Sequence, residues 1–244
     1  MKIGIIGAGN IGLELARKLS KAGHAIKLAN SRGPESLADV VKDTDIKAAT
    51  GEDAGKDADV VILSLPFNRN LAAAELLKHT PATAIIIDTS NYYPARDGHI
   101  DEVDAGEPET LWVSKRIRRP LLKAWNALLS STLREAGLQP SESGRIAIPI
   151  AGDDVVAKDV LASLVSETGF DSVDAGTLGE SWRFQPGAPA YCTELTRNEL
   201  EIALASAVKG RVPANRDAIM KVFTDGPGPS SRRDLVQLNR TMSL

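Results

Sequence analysis

Met1-Lys2-Ile3-Gly4-Ile5-Ile6-Gly7-Ala8-Gly9-Asn10-Ile11-Gly12 opens the chain, and the reading of this stretch decides the fold. Lys2–Ile6 is an apolar run of strand length. After it, Ile11, Leu13, Leu15, Ala16 and Leu19 recur at helical spacing until Ala22-Gly23 ends the pattern. Three glycines, Gly7, Gly9 and Gly12, occupy the turn between strand and helix. In that context the first makes the tight turn, the second lets a ligand approach the backbone, and the third lets the helix pack on the strand. The free N–H groups and positive end of the helix then suit a pyrophosphate. Gly7, Gly9, Asn10, Ile11 and Gly12 are therefore the expected phosphate cradle of a dinucleotide.

Working outward, Ala25–Ala29 is a second strand candidate, followed by Asn30-Ser31-Arg32-Gly33-Pro34. A site for NAD would place a carboxylate there to bind the ribose hydroxyls. The stretch has none. Arg32 can instead pair with a 2′-phosphate, and the Ser31 hydroxyl can donate to it, so the expected cofactor is NADP. Asp59–Leu65 and Ala84–Asp88 are continuous apolar runs, as for strands covered on both faces, with the Ala- and Leu-rich Leu71–Lys78 as crossover helix between them. Strands alternating with helices predict an α/β fold: a Rossmann-type, doubly wound, mostly parallel sheet.

Asn91–Pro108 is polar and broken by Pro94, Gly98, Gly106 and Pro108, and reads as a long loop. Beyond the basic run Lys115–Arg119, a smaller α/β extension is expected. Its elements are a strand at Ala147–Ile150, a helix over Val155–Glu167 capped by Asp153 or Asp154, a strand at Phe170–Val173 and a helix within Pro189–Val208. Asp225–Ser231 has linker composition. The expected division is an NADP-binding domain over 1–120, an acceptor-side and dimerisation part over 121–208, and a tail over 209–244.

In doubly wound folds the ligand lies outside the carboxyl ends of the strands. That places Ser64, Leu65, Pro66 and Thr89 beside the cofactor and Asn91 toward the second substrate. No acid or base stands out. His24, His79 and His99 have no placed carboxylate partner in the sequence, Lys123 and Tyr191 lack a supporting pattern, and Cys192 reads as a packed thiol, so no catalytic residue is assigned. Such a site suits hydride transfer between two carriers, where the protein aligns the rings. Trp182, Phe184 and Tyr191 cluster in one segment. With the apolar patch Leu235, Val236 and Leu238, that segment is expected to close over the acceptor from a second subunit, with Trp182 and Tyr191 touching substrate.

The single cysteine excludes an internal disulfide and a multi-thiolate metal site, and no metal is expected. A net charge of −3 gives no drive toward nucleic acid or an anionic membrane, and no apolar run approaches membrane-spanning length. A cytoplasmic protein is expected, with a small redox acceptor as its partner.

Several segments in order resemble a known family: Gly7–Gly12, Ser31-Arg32, Lys123-Ala124-Trp125-Asn126, Pro149-Ile150-Ala151-Gly152-Asp153-Asp154 and Asp174-Ala175-Gly176-Thr177-Leu178. Over about residues 1–180 the chain is similar to the NADPH-dependent deazaflavin reductases, also called coenzyme F-420-dependent NADP oxidoreductases, and to the NADPH-binding domain of the STEAP metalloreductases. The resemblance implies that Ser31 and Arg32 bind the 2′-phosphate and that Asn126 lines the nicotinamide, with Trp125 in place of the usual Phe. It also implies hydride exchange between NADPH and a deazaflavin or flavin as second substrate, and a homodimer. No deazaflavin-binding pattern is visible in Asn91–Pro108 or Trp182–Pro189. An NADP-dependent dehydrogenase or imine reductase with a small substrate, and a non-catalytic NADP sensor, are the alternative readings. A catalytic Lys of the hydroxyacid dehydrogenase kind is missing from Pro189–Val208.

Overall fold

The computed structural model describes residues 1–243. The chain runs β1 (Lys2–Ile6), α1 (Asn10–Lys21), β2 (Ala25–Ala29), α2 (Ala38–Val41), β3 (Lys47–Ala49), α3 (Gly51–Gly55), β4 (Val60–Leu63), α4 (Ala73–Leu76) and β5 (Ile85–Asp88). It continues through α5 (Pro94–Asp97), α6 (Asp101–Asp104), α7 (Glu109–Ile117), β6 (Leu122–Lys123), α8 (Ser130–Glu135), β7 (Ala147–Ile150), α9 (Val155–Glu167), β8 (Asp171–Asp174), α10 (Arg197–Ser206), α11 (Val212–Asp225) and α12 (Arg232–Met242). Six strands form one parallel sheet in the order β3-β2-β1-β4-β5-β6. The order reverses between β1 and β4, which fixes the crevice where a dinucleotide lies in this doubly wound fold. β7 and β8 pair in parallel, and an antiparallel bridge between Lys123 and Ala151 joins them to the edge of the main sheet.

One face of the sheet packs through Ile3, Ile5, Leu15, Leu19, Ile62 and Ile87 into a cluster that continues to Leu122, Trp125, Ile148, Leu161 and Phe170. The core thus crosses residue 120 without interruption. The opposite face packs Ile6, Val61, Leu63 and Phe67 against Tyr92, Trp112 and Val113. Asp154 caps α9 by accepting from the Ala157 N–H, at one of the two positions anticipated.

The structure differs from the sequence reading at the loop Asn91–Pro108 and in the tail, and it shows what holds the basic run. Asn91–Pro108 holds two single-turn helices, α5 and α6, tied together by Tyr92, whose hydroxyl lies 3.0 Å from both the Gly98 carbonyl oxygen and Asp104 Oδ1. The basic run forms the end of α7 and is occupied by its own chain: Arg116 pairs with Glu102 at 2.7 Å and lies over the Trp112 ring, Lys115 pairs with Glu107, and Arg119 donates to the Pro81 carbonyl. Asp225–Ser231 is the turn between two packed helices, α11 and α12, rather than a linker into a free tail.

Candidate functional site

The three glycines of the turn stand in different surroundings. A Cβ on Gly7 would stand 2.1 Å from the Ser64 carbonyl oxygen, and one on Gly12 would stand 1.9 Å from the Gly7 carbonyl oxygen, so both are packing positions. A Cβ on Gly9 meets nothing within 4 Å, so this position faces open space at the start of α1. Asn10 is exposed beside it and Ile11 is half-buried.

At the end of β2, Asn30 organises the turn: its side-chain oxygen accepts from the Arg32 N–H at 2.9 Å, and its amide donates to Ser36. Ser31 and Arg32 are both exposed, and among the described residues neither the Ser31 hydroxyl nor the Arg32 guanidinium has a hydrogen-bond or ion-pair partner. A cation held without a counter-charge at the far end of the cofactor crevice fits a 2′-phosphate. Ser64, Leu65 and Pro66 follow β4 and remain partly accessible. Thr89 is buried, and its hydroxyl donates to the Leu63 carbonyl at 3.3 Å, so it fastens the ends of β4 and β5 together.

At the other end of the crevice, Asn91 after β5 meets Asn126 after β6. The Asn126 amide donates to Asn91 Oδ1 at 3.0 Å and to the Phe184 carbonyl at 3.0 Å, while Asn91 Nδ2 donates to the Asn126 carbonyl at 2.9 Å. Asn126 Oδ1 is buried without a hydrogen-bond partner. An orphaned buried acceptor costs about 1–3 kcal/mol, so this oxygen carries an unmet demand for an N–H. Asn91 Nδ2 also donates to the Tyr191 hydroxyl at 3.2 Å, and the Tyr191 and Tyr93 hydroxyls lie 2.8 Å apart.

The backbone around this cluster is strained. Trp125, immediately before Asn126, has φ 56°, and Cys192, immediately after Tyr191, has φ 54°. A bulky residue in the left-handed region costs on the order of 1–3 kcal/mol, and such residues gather at functional sites. The two kinks are tied to each other, since the Cys192 N–H donates to the Ala127 carbonyl at 3.1 Å. Cys192 is the buried thiol expected of it.

Lys123, weighed from sequence as a proton donor, is completely buried. Its ammonium donates to Thr110 Oγ1 at 2.9 Å, to Glu109 at 3.1 Å and to the Ser90 carbonyl at 3.2 Å. All three protons are engaged, so it braces the site from below and does not face a substrate. Burial raises the Glu109 carboxyl above its ordinary range, against the opposing pull of Lys123. Two histidines do have carboxylate partners, His24 with Glu167 at 2.6 Å and His99 with Asp104 at 2.9 Å, which corrects the sequence reading. His24 stands at the opposite end of β2 from the cofactor turn, and the His99 side chain is 81% exposed, so neither belongs to the site.

Trp182 is not brought to the Asn91–Tyr191 cluster. It stacks with Arg183 at 4.7 Å and Lys209 at 5.9 Å and lines a separate crevice with Gln185 and Glu107. Of the tail patch, Leu235 lines the same pocket as Tyr93 and Tyr191 of its own chain, and Val236 is buried. Sequence reasoning missed Tyr93, although it follows directly on Asn91-Tyr92 at the end of β5, where the strand-end rule already pointed. Among the described residues no three His, Cys, Asp or Glu side chains converge as a metal site, and no helix is long and apolar enough to cross a membrane.

A phosphate turn, an uncountered cation after β2 and a polar cluster past β5 and β6 define a dinucleotide-binding oxidoreductase of the Rossmann type. Comparison with known proteins narrows this. Residues 2–92 match the family described as NADP oxidoreductase, coenzyme F420-dependent. YjhV of Escherichia coli (strain K12) is 32% identical over 126 residues, which are 52% of this chain and 85% of that protein. The crystal structure of the hypothetical protein SMa0349 from Sinorhizobium meliloti shares 31% identity and a TM-score of 0.69, covering 81% of this chain and 96% of that one. A protein of Arthrobacter sp. FB24, described as a candidate F420-dependent NADP reductase, shares the fold with a TM-score of 0.60 at 21% identity, over 73% of this chain and 86% of that one. The chain belongs to the coenzyme F420-dependent NADP oxidoreductase family and is an NADP-dependent oxidoreductase.

Proposed function

We propose that this protein moves a hydride between NADPH and a flavin-like, deazaflavin or other small redox acceptor bound beyond the carboxyl ends of β5 and β6. The observation that carries the reading is the pairing of two features along one sheet edge. Gly9 and the unpartnered Arg32 stand at the phosphate end, and the Asn91–Asn126 pair with its orphaned Asn126 oxygen stands at the other.

NADP supplies the hydride chemistry when bound; the residues of this chain bind, orient and exclude water. Gly9 and the α1 N–H groups would hold the pyrophosphate, Ser31 and Arg32 the 2′-phosphate, and Asn126 the carboxamide side of the ring. Ser64, Leu65 and Pro66 would border the ribose. Fixing two reactants in one geometry supplies much of the rate in a transfer of this kind.

The test is NADPH oxidation followed with a panel of flavins, deazaflavin, quinones and small carbonyl or imine compounds, beside titration calorimetry of NADPH and NADH. The reading expects NADPH to bind more tightly than NADH and at least one acceptor to turn over. Tight NADPH binding without turnover by any acceptor would mark a non-catalytic sensor and refute the proposal.

A further inference from the structure

We propose that Tyr191 is a catalytic residue that gives a proton to the acceptor, positioned by Tyr93 and Asn91, and that the acceptor is a small carbonyl or imine compound seated under α11 and α12 of the same chain. This rests on the NADPH-dependent hydride transfer proposed above and names the acceptor class of that site.

Geometry identifies the donor. The Tyr191 hydroxyl lies 2.8 Å from the Tyr93 hydroxyl and 3.2 Å from Asn91 Nδ2, and Asn91 is locked by its two hydrogen bonds with Asn126. An amide N–H can only donate. Asn91 donates to Tyr191 Oη, and either tyrosine hydroxyl can donate to the other; with Tyr93 as the donor, the Tyr191 proton is left for the acceptor. The Asn91 N–H on the same oxygen also stabilises the negative charge that forms as the proton leaves. The kinks at Trp125 and Cys192, joined by the Cys192 N–H to Ala127 carbonyl bond, hold the segments bearing Asn126 and Tyr191 beside each other.

A cavity of about 180 Å³ is lined by both tyrosines. Tyr93, Tyr191, Arg216 and Asn239 are its polar residues, while Leu129, Pro186, Phe223 and Leu235 are among the apolar residues that make up the rest. Pockets for drug-sized ligands run from roughly 300 to 1,000 Å³. This one is too small to enclose a three-ring deazaflavin but takes a compact molecule with one polar end. A polar end facing a phenol that can donate is a carbonyl oxygen or an imine nitrogen.

The reaction balances without a further co-reactant. The acceptor carbon gains the hydride that NADPH provides, so the acceptor is reduced by two electrons and NADPH is oxidised. The electron pair of the C=O or C=N bond moves to the heteroatom, which takes the Tyr191 proton. The resulting phenolate recovers a proton from Tyr93, and Tyr93 recovers its own from solvent. Burial raises both tyrosines above their ordinary value, so both stay protonated across the physiological range. A phenol of that kind gives its proton to a forming alkoxide or amide anion, which is the stronger base, and not to water.

The test compares wild type with Tyr191→Phe, Tyr93→Phe and Leu235→Trp. Tyr191→Phe is expected to keep its melting temperature and to bind NADPH within about twofold, while kcat on small carbonyl or imine acceptors falls about a hundredfold or more. Tyr93→Phe should lower kcat about tenfold at unchanged KM and enlarge the solvent deuterium isotope effect, which a packing role would not do. Leu235→Trp fills the cavity, so calorimetry of a small acceptor into the enzyme–NADP complex should show at least tenfold weaker binding. Wild-type turnover by Tyr191→Phe, undiminished acceptor binding by Leu235→Trp, or turnover confined to flavins and deazaflavins would each overturn this proposal and leave the hydride-transfer reading standing. Absence of turnover with every acceptor would overturn both.

Discussion

The Lys123 ammonium sits 3.1 Å from the Glu109 carboxylate with both side chains shut away from solvent, one on β6 and the other at the start of α7. The pair joins a larger network: Thr110 donates to Asp88 at 2.6 Å, the Ser90 N–H donates to Asp88 at 2.9 Å, and Asn70 donates to the Ser90 hydroxyl at 2.7 Å. All of these atoms lie under the turn that presents Asn91. The polar network therefore sets the height and direction of the segment Thr89–Asn91 from beneath.

Breaking one side of a buried pair leaves the other charge uncompensated, at a cost of about 3–5 kcal/mol. Lys123→Met should destabilise the protein by that order in urea unfolding. The loss should shrink at lower pH. Without Lys123 the buried Glu109 carboxyl, already raised, has nothing to hold it ionised, so protonation relieves the variant as pH falls. A urea midpoint that rises more steeply between pH 8 and pH 5 in Lys123→Met than in wild type is the expected signature. Lys123→Met combined with Glu109→Gln should recover much of the loss.

The glycine turn predicts opposite failures at neighbouring positions. Gly9→Val adds a side chain in open space, so the fold should survive with an unchanged melting temperature while NADPH binding is lost. Gly12→Ala sets a carbon 1.9 Å from the Gly7 carbonyl oxygen, so α1 must move off β1. That variant should unfold at lower temperature as well as bind poorly. Thermal melts and calorimetry on the two proteins separate ligand clearance from packing.

The legible part of the molecule is the part whose signals are local. The strand, turn and helix at Lys2–Lys21, the end of β2 and the caps of α9 are each specified within a few neighbouring residues, and the sequence places them to within a residue or two. α7 escaped because its end carries no glycine: Arg118 supplies the left-handed turn at φ 54°, and the run of cations masks the helical stripe of Trp112, Val113 and Ile117. β6 is only Leu122-Lys123, too short to show a period, and its lysine is a buried ion. α12 is mostly polar, with Val236 buried among charged neighbours, so its composition suggested a tail. The Tyr93–Tyr191 contact joins residues 98 positions apart, and no spacing rule reaches that far.

The buried thiol and phenols predict how the protein fails in alkali. Burial pushes Cys192 from 9.0 to about 12, and burial together with a hydrogen bond to Asp104 pushes Tyr92 from 10.0 to about 12. The fold favours the neutral form of each group. This stabilisation is fully present below the ordinary values and is lost as pH rises through the raised ones. Stability should therefore fall between about pH 9 and pH 12, measured as the urea midpoint by circular dichroism. Cys192→Ala should start lower, through the small cavity it leaves, but decline less steeply over the same range. Thiol reagents should leave native Cys192 unmodified at pH 8 and react on unfolding.

Arg32 decides between the two nicotinamide cofactors. Its backbone is fixed by Asn30, whose side-chain oxygen accepts the Arg32 N–H at 2.9 Å, so the guanidinium starts from a defined point at the end of β2. It is exposed and has no ion-pair partner among the described residues, so a 2′-phosphate would not have to displace a carboxylate to reach it. A hydrogen bond to a charged group is worth about 1.5–3 kcal/mol, which converts to roughly a ten- to hundredfold change in affinity. Arg32→Ala should weaken NADPH by that factor and leave NADH nearly unchanged, because NADH presents only hydroxyls there. Asn30→Ala should give a smaller loss in the same direction, since it frees the turn without removing the charge. The preference should also shrink with salt, as a partly solvated ion pair does. Titration calorimetry with both cofactors at low and high ionic strength measures each of these terms. Equal losses for NADPH and NADH in Arg32→Ala would mean that the cation plays no part in choosing the cofactor.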